Sequence, residues 1–239
     1  MAIDAVFYPK ADGRPRGLWC KDAEDLEKYP RTLEADVSLL KKEACDVVFA
    51  PTVAEVYGNG IKSEKFNFDG LEHEMEGRHR VGHFDGVGTI VKRLFEIVQP
   101  TRAYFGEKDF QQLQIIKKLV FKYEIPIKII GCPIYREDDG LAMSSRNSRL
   151  SKSHRLAAPF IYEILKEAKR RFHKESISTI EKWVEEAYKM NTHLQLEYFE
   201  IANAQTLRPA QRKLTTNKYR AFVAAYAGNV RLIDNIALN

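Results

Sequence analysis

Apolar residues recur at helical steps over residues 25–44, through Leu26, Leu33, Val37, Leu40 and Ala44, with Pro30 as an early interruption. Val47-Val48-Phe49-Ala50, closed by Pro51, then reads as a short strand. Residues 57–85 keep no period and are rich in Gly, Asn, His and charge, which predicts a long surface excursion. Regularity returns with a helix over 87–98, a strand over 103–105, a helix over 110–123 and a strand over 127–130. Such alternation with short connections predicts βαβ units and a parallel sheet, whose ligands sit at the carboxyl ends of the strands. The texture changes beyond Leu150. Two helices, 153–172 and 176–190, precede strands over 194–201, 219–227 and 230–233, the pattern of a small α+β domain. The expected division is therefore 1–150 and 151–239.

Composition narrows the class. The 239 residues are 44% hydrophobic and 30% charged, the balance of a globular protein with a core large enough to need no disulfide or metal. No apolar run has the length of a membrane span, and the start does not resemble a signal peptide, so we expect a cytoplasmic protein without a membrane partner. The net charge of +5 comes from Lys and Arg interspersed with Asp and Glu, as in Glu181, Lys182, Glu185, Glu186 and Lys189. Solvated helix faces look like that, and no nucleic-acid partner is expected. Cys20, Cys45 and Cys132 are widely spaced and form no C-x-x-C pair, which predicts buried thiols in a reducing compartment.

Three segments carry candidate chemistry. Phe105-Gly106-Glu107-Lys108-Asp109-Phe110-Gln111-Gln112 lies between a strand and a helix. There Gly106 permits close approach, the helix start offers N–H groups, and Lys108 adds a full charge, a combination suited to phosphate. Asp109 stands where it would cap the helix, and the amides of Gln111 and Gln112 fall where they would reach a ligand. The spacing equally suits a capped helix with a solvated Lys. The second segment, residues 136–147, ends in Met143-Ser144-Ser145-Arg146-Asn147, where two hydroxyls and a guanidinium form either an anion clamp or a polar interdomain loop. In the third, residues 76–86, Arg78, Arg80, His79 and His83 are candidate phosphate contacts. The i, i+4 histidines would pair on a metal only in a helix, which Gly77, Gly82 and Gly86 oppose.

Taken in chain order, Gly-His-Phe-Asp-Gly-Val (82–87), Phe-Gly-Glu-Lys-Asp-Phe-Gln-Gln-Leu (105–113), Arg-Glu-x-Asp-Gly-Leu-Ala-Met-Ser-Ser-Arg-Asn (136–147) and Gly-Asn-Val-Arg-Leu-Ile-Asp-Asn (228–235) resemble the pantothenate synthetase family. The resemblance extends from about residue 22 to the end. It implies an α/β fold, a Rossmann-like nucleotidyltransferase sheet followed by a smaller C-terminal α+β domain. It also implies ATP-dependent, Mg²⁺-assisted joining of pantoate to β-alanine through a pantoyl adenylate, in a homodimer. By position it assigns Gly106, Glu107, Lys108 and Asp109 to the nucleotide, with Lys108 on phosphate. Gln112 is assigned to pantoate, Tyr135 to the adenine side, and Met143, Ser144, Ser145 and Arg146 to a segment closing over the phosphates. Lys108, Ser144 and Arg146 are the implied catalytic set.

Four departures accompany it. Residues 1–21 resemble nothing in the family, and only Ala5 to Tyr8 there could form a strand. The M-G-x-L-H-x-G-H element and an N-P-x-Q-F segment do not occur in the 239 residues, and Val81 replaces a common Pro. We therefore expect an N-terminally incomplete sheet with an exposed edge, and impaired turnover. The alternatives are an inactive remnant that binds nucleotide or dimerises, and a different nucleotidyltransferase-like enzyme.

Overall fold

The computed structural model describes residues 4–6, 33–57 and 63–239. Three parallel strands form the first sheet, β1 (Asp4–Val6), β2 (Arg102–Gly106) and β3 (Lys128–Cys132), in the order β1-β2-β3. Helix α4 (His83–Val98) leads into β2, and α5 (Phe110–Lys122) crosses from β2 to β3. The short α1 (Leu33–Lys42), α2 (Val53–Tyr57) and α3 (Met75–His79) precede them.

Strand β1 pairs with β2 from Arg102 to Tyr104 and is itself an edge of the sheet among the described residues, while Phe105 and Gly106 pair there with β3 alone. Val47–Ala50 is not a strand. It joins neither sheet among the described residues, and Val47 is 78% exposed, because an extended apolar stretch without a neighbouring ladder remains irregular. Helix α1 covers only part of the predicted 25–44, buries no residue, and ends where Ala44 turns to φ 55°; residues before Leu33 in that stretch lie outside those described. Cys45 is exposed, contrary to the expected burial, Cys132 is half-buried, and Cys20 lies outside the described residues.

The excursion over 63–82 is more ordered than its lack of period suggested. Phe68, Leu71 and Met75 are buried against Phe84, Val87, Val91 and Phe95 of α4 and Ile115, Ile116 and Leu119 of α5. Gly77 sits inside α3, where a Cβ would come within 1.8 Å of the Glu72 carbonyl oxygen; close approach, not helix breaking, explains this glycine.

A three-stranded antiparallel sheet, β4 (Leu194–Asn203), β5 (Tyr219–Ala227) and β6 (Val230–Ala237), forms the second half. Helices α6 (Lys152–Ala157), α7 (Phe160–Phe172) and α8 (Ile177–Lys189) precede it. The single predicted helix over 153–172 is interrupted before Pro159, which has no N–H to give to the Arg155 carbonyl. Ser151 caps α6 and Ser176 caps α8 through their hydroxyls.

One core lies between α7, α8 and one face of this sheet, with Ile161, Leu165, Ile180, Val184, Ala221 and Val223. Ala202, Leu207 and Phe222 from the opposite face join the core of the parallel half. Central strand β5 is therefore buried on both sides, and its run Ala221-Phe222-Val223-Ala224-Ala225 lacks the polar alternation of a one-sided strand. Replacing Gly77 by Ala should displace α3 from Glu72 and cost about 1–3 kcal/mol, measured as a lowered urea midpoint with an unchanged slope.

Candidate active site

Gly106 closes β2 with φ −67°, and a Cβ there would meet nothing within 4 Å, so the strand end faces open space. A single 3₁₀ turn, Glu107–Asp109, then runs into α5. That turn is gripped from the second sheet. Asn235 Nδ2 donates to the carbonyls of Glu107 (2.9 Å) and Lys108 (2.9 Å), and Arg220 Nη2 donates to Glu107 Oε2 at 3.1 Å. The other guanidinium arm of Arg220 donates to Asn235 Oδ1, and its plane stacks 4.0 Å from the centre of the Phe110 ring. Burial pulls the Arg220 guanidinium below its ordinary pKa, while Glu107 acts the other way.

The Lys108 ammonium and the Gln112 carboxamide have no hydrogen-bond partner among the described residues. Lys108 stands in the 3₁₀ turn and Gln112 in the first turn of α5, with the non-helical backbone of Asp109 between them. Two expectations need correction. Asp109 makes no capping bond, because its backbone (φ −95°, ψ 57°) belongs to the tight turn and not to the extended N-cap region. Gln111 is 4% exposed and turned away from any ligand: Nε2 donates to Leu71 O and Glu74 O, and Oε1 accepts from Glu76 N–H.

After β3 the chain doubles back. Met143 N–H donates to Tyr135 O at 2.9 Å, and Arg136 pairs with Ala142, so Tyr135 and Met143 lie side by side with both side chains exposed. Arg136 does not face a ligand. It forms a two-armed ion pair with Asp234 (2.6 and 3.0 Å), donates to Gly140 O and lies 3.6 Å from the centre of the Tyr162 ring. Ser144 Oγ accepts from Arg146 N–H at 3.3 Å at the head of the 3₁₀ turn Ser145–Arg149. Asn147 ties that turn back to Glu137 Oε1 and Ala142 O. Both turns, 107–109 and 145–149, rest against β6. A strand end, a turn carrying hydroxyls and a guanidinium, and the Lys108 cation thus share one end of the molecule.

The sequence model of the Pantoate-beta-alanine ligase family matches residues 18–237. This chain belongs to the pantoate–β-alanine ligase family. Among its relatives, proteins named pantothenate synthetase from Christiangramia forsetii and Flavobacterium psychrophilum are 58% and 54% identical, each over 90% of this chain and 77% of the relative. The crystal structure of pantothenate synthetase from Thermus thermophilus superposes with a TM-score of 0.88 at 36% identity, covering 99% of this chain and 83% of that one. The Francisella tularensis pantoate-beta-alanine ligase, solved with beta-gamma ATP and beta-alanine, superposes at 0.75 with 29% identity, covering 100% and 80%.

Sequence reasoning singled out the family segment 228–235 but gave its residues no role; its signal was the adjacent Asp234-Asn235 pair on a strand otherwise apolar on its helix-facing side. The arginines of the third candidate segment are spent on carboxylates. Arg78 pairs with Glu200, and Arg80 lies 4.0 Å from Glu76 and 3.2 Å from His83 Nε2. His79 stacks on Tyr198, so it and His83 do not converge, and among the described residues no three His, Cys, Asp or Glu gather around a metal position. Burial alone would raise the Glu76 carboxyl, but two N–H donors of Arg231 (2.9 and 2.7 Å) and the Tyr198 hydroxyl (2.8 Å) hold it below its ordinary value. A carboxylate so lowered stabilises the fold fully above its unfolded pKa, about 4.3, and loses that contribution as pH falls through the folded value. Glu76→Gln should therefore lower stability by about 2 kcal/mol at pH 7, and the gap to the parent should shrink below about pH 4 in urea titrations.

Proposed function

We propose that this chain, a ligase by family, joins pantoate to β-alanine at the expense of ATP by way of a pantoyl adenylate. The observation that carries the reading is the pairing of an uncommitted Lys108 and Gln112 at the carboxyl end of β2 with the Met143–Arg146 segment, both seated on β6. The pantoate carboxylate attacks the α-phosphorus, the bond to the bridging oxygen breaks, and pyrophosphate leaves. The β-alanine amine then attacks the acyl carbon, AMP leaves with the electron pair of the acyl–oxygen bond, and the amine gives up a proton.

The first step brings two anions together, so cations and N–H dipoles fixed in advance contribute most. Lys108 places its charge on the phosphates. Ser144, Ser145 and Arg146 close over them, and Gln112, in the first turn of α5, holds pantoate. Gly106 leaves room at the strand end, Glu107 keeps the turn anchored, and the Tyr135–Met143 ladder borders the adenine. Mg²⁺ would enter with the phosphates, as it commonly does, and Asp109, free of any capping bond, is the oxygen donor suited to it. When bound, the ion neutralises phosphate charge.

The assignment includes a homodimer in the cytoplasm. Its support is the family resemblance, the mixed surface charge, and the finding that no helix among the described residues is long and apolar enough to cross a membrane. The division into a nucleotide half, 1–150, and a second half, 151–239, follows the change from parallel to antiparallel pairing. An inactive remnant is the less favoured reading, since the anchors of both loops are intact.

AMP release should require ATP, pantoate and β-alanine together, and ATP should raise the melting temperature by mass action. Lys108→Ala should lower kcat/KM by about 100-fold or more. A Lys108→Ala enzyme within about twofold of the parent would remove Lys108 from the mechanism.

A further inference from the structure

Asn235 is 2% exposed, and its carboxamide is fully committed: both N–H groups go to the Glu107 and Lys108 carbonyls, while its oxygen accepts from Arg220. Each peptide is planar and trans, so the carbonyl of Glu107 and the N–H of Lys108 point in opposite directions across one plane. Turning the two carbonyls onto β6 therefore turns the Lys108 N–H away from it and fixes the Cα of Lys108 between two immobilised peptide planes. No capping bond from Asp109 contributes to this, and among the described residues no side chain of the parallel half gives a donor to these two carbonyls. Arg220, held by Glu107 on one arm and stacked on Phe110, keeps the carboxamide from rotating.

We propose that Asn235, locked by Arg220, is the positioning residue for Lys108, so that the second half of the chain sets the aim of the phosphate-binding cation in the first. The inference rests on the assignment of Lys108 to the ATP phosphates. Asn235 touches no substrate and acts only through the turn it holds. A residue that merely stabilised the fold would affect binding of all substrates alike; one that aims Lys108 affects ATP and not pantoate, and has no effect once Lys108 is gone.

The test is a double-mutant cycle on the full chain, read by calorimetric titration of ATP with Mg²⁺ and, separately, of pantoate, with melting curves for each variant. Asn235→Asp keeps the shape and the acceptor for Arg220 but cannot donate to two carbonyls. It should weaken ATP binding by about tenfold and leave pantoate within about twofold; on a Lys108→Ala background it should cost no more than about a further twofold. Arg220→Lys, which keeps a cation beside Glu107 but loosens the carboxamide, should reproduce the same ATP-specific loss at smaller size, and replaces the first variant should that one fail to melt cooperatively.

Equal losses for ATP and pantoate, or losses from Asn235→Asp and Lys108→Ala that multiply in the double variant, overturn the proposal. A Lys108→Ala protein that binds ATP as the parent does removes the assignment of Lys108, a failure seen without touching Asn235. A parent that binds pantoate but no ATP overturns both.

Discussion

Successive side chains of a strand point to opposite faces, and on β6 that alternation decides where both loops of the site sit. Val230, Leu232 and Asp234 face α7 and α8, where the first two are buried in the helix-side core and Asp234 takes both arms of Arg136. Arg231 and Asn235 face the parallel half, where the first takes Glu76 and the second the turn at 107–108. As an edge strand among the described residues, β6 can be straddled by the loop over 135–143 on one side and the 107–109 turn on the other. Two neighbouring residues, of opposite orientation, thereby fix two segments that are distant in sequence.

Strand β5 makes that arrangement rigid. Its small residues, Ala221, Ala224 and Ala225, let helices approach one face and the parallel half approach the other, and Phe222 adds about 2 kcal/mol of burial to the shared boundary. Because Ala202, Leu207 and Phe222 complete the core around α4 and α5, the two halves share apolar surface at the point where Arg220 reaches across. Polar contacts are thus made at a boundary already closed by apolar packing.

Much of this was legible in the chain. The alternation of apolar helix and strand patterns over 87–130 placed Gly106 to Asp109 at a strand end, and the helical stretch ahead of an antiparallel meander followed from period. What failed did so where tertiary context overrides a local rule. Val47–Ala50 has strand composition but no ladder to join among the described residues. Gly77 has the composition of a breaker and is instead a contact, and Pro159 interrupts a helix whose apolar period runs on through it. The excursion over 63–82 lacked a period because its buried residues, Phe68, Leu71 and Met75, are anchored by Gln111 and by tight turns, not by one regular element. The roles of Arg220, Asp234 and Asn235 were hidden for a simpler reason: long-range hydrogen bonds leave no spacing signal.

The buried charges around β6 are not the cheapest way to stabilise this boundary. An ion pair such as Arg231 with Glu76 and Glu197 gives up hydration that well-packed apolar side chains would not have to surrender, and apolar replacements of buried pairs are often neutral or better. What apolar residues cannot supply is register. A slip of β6 by one position would exchange the faces of Asp234 and Asn235, leave Arg136 without a carboxylate, and present a carboxylate to two carbonyl oxygens. Each wrong register buries an unpaired charge, so the polar residues penalise the alternatives more than they favour the native pairing. For a site built from two loops that both rest on this strand, that penalty is what keeps Lys108 and the Met143–Arg146 segment in one geometry.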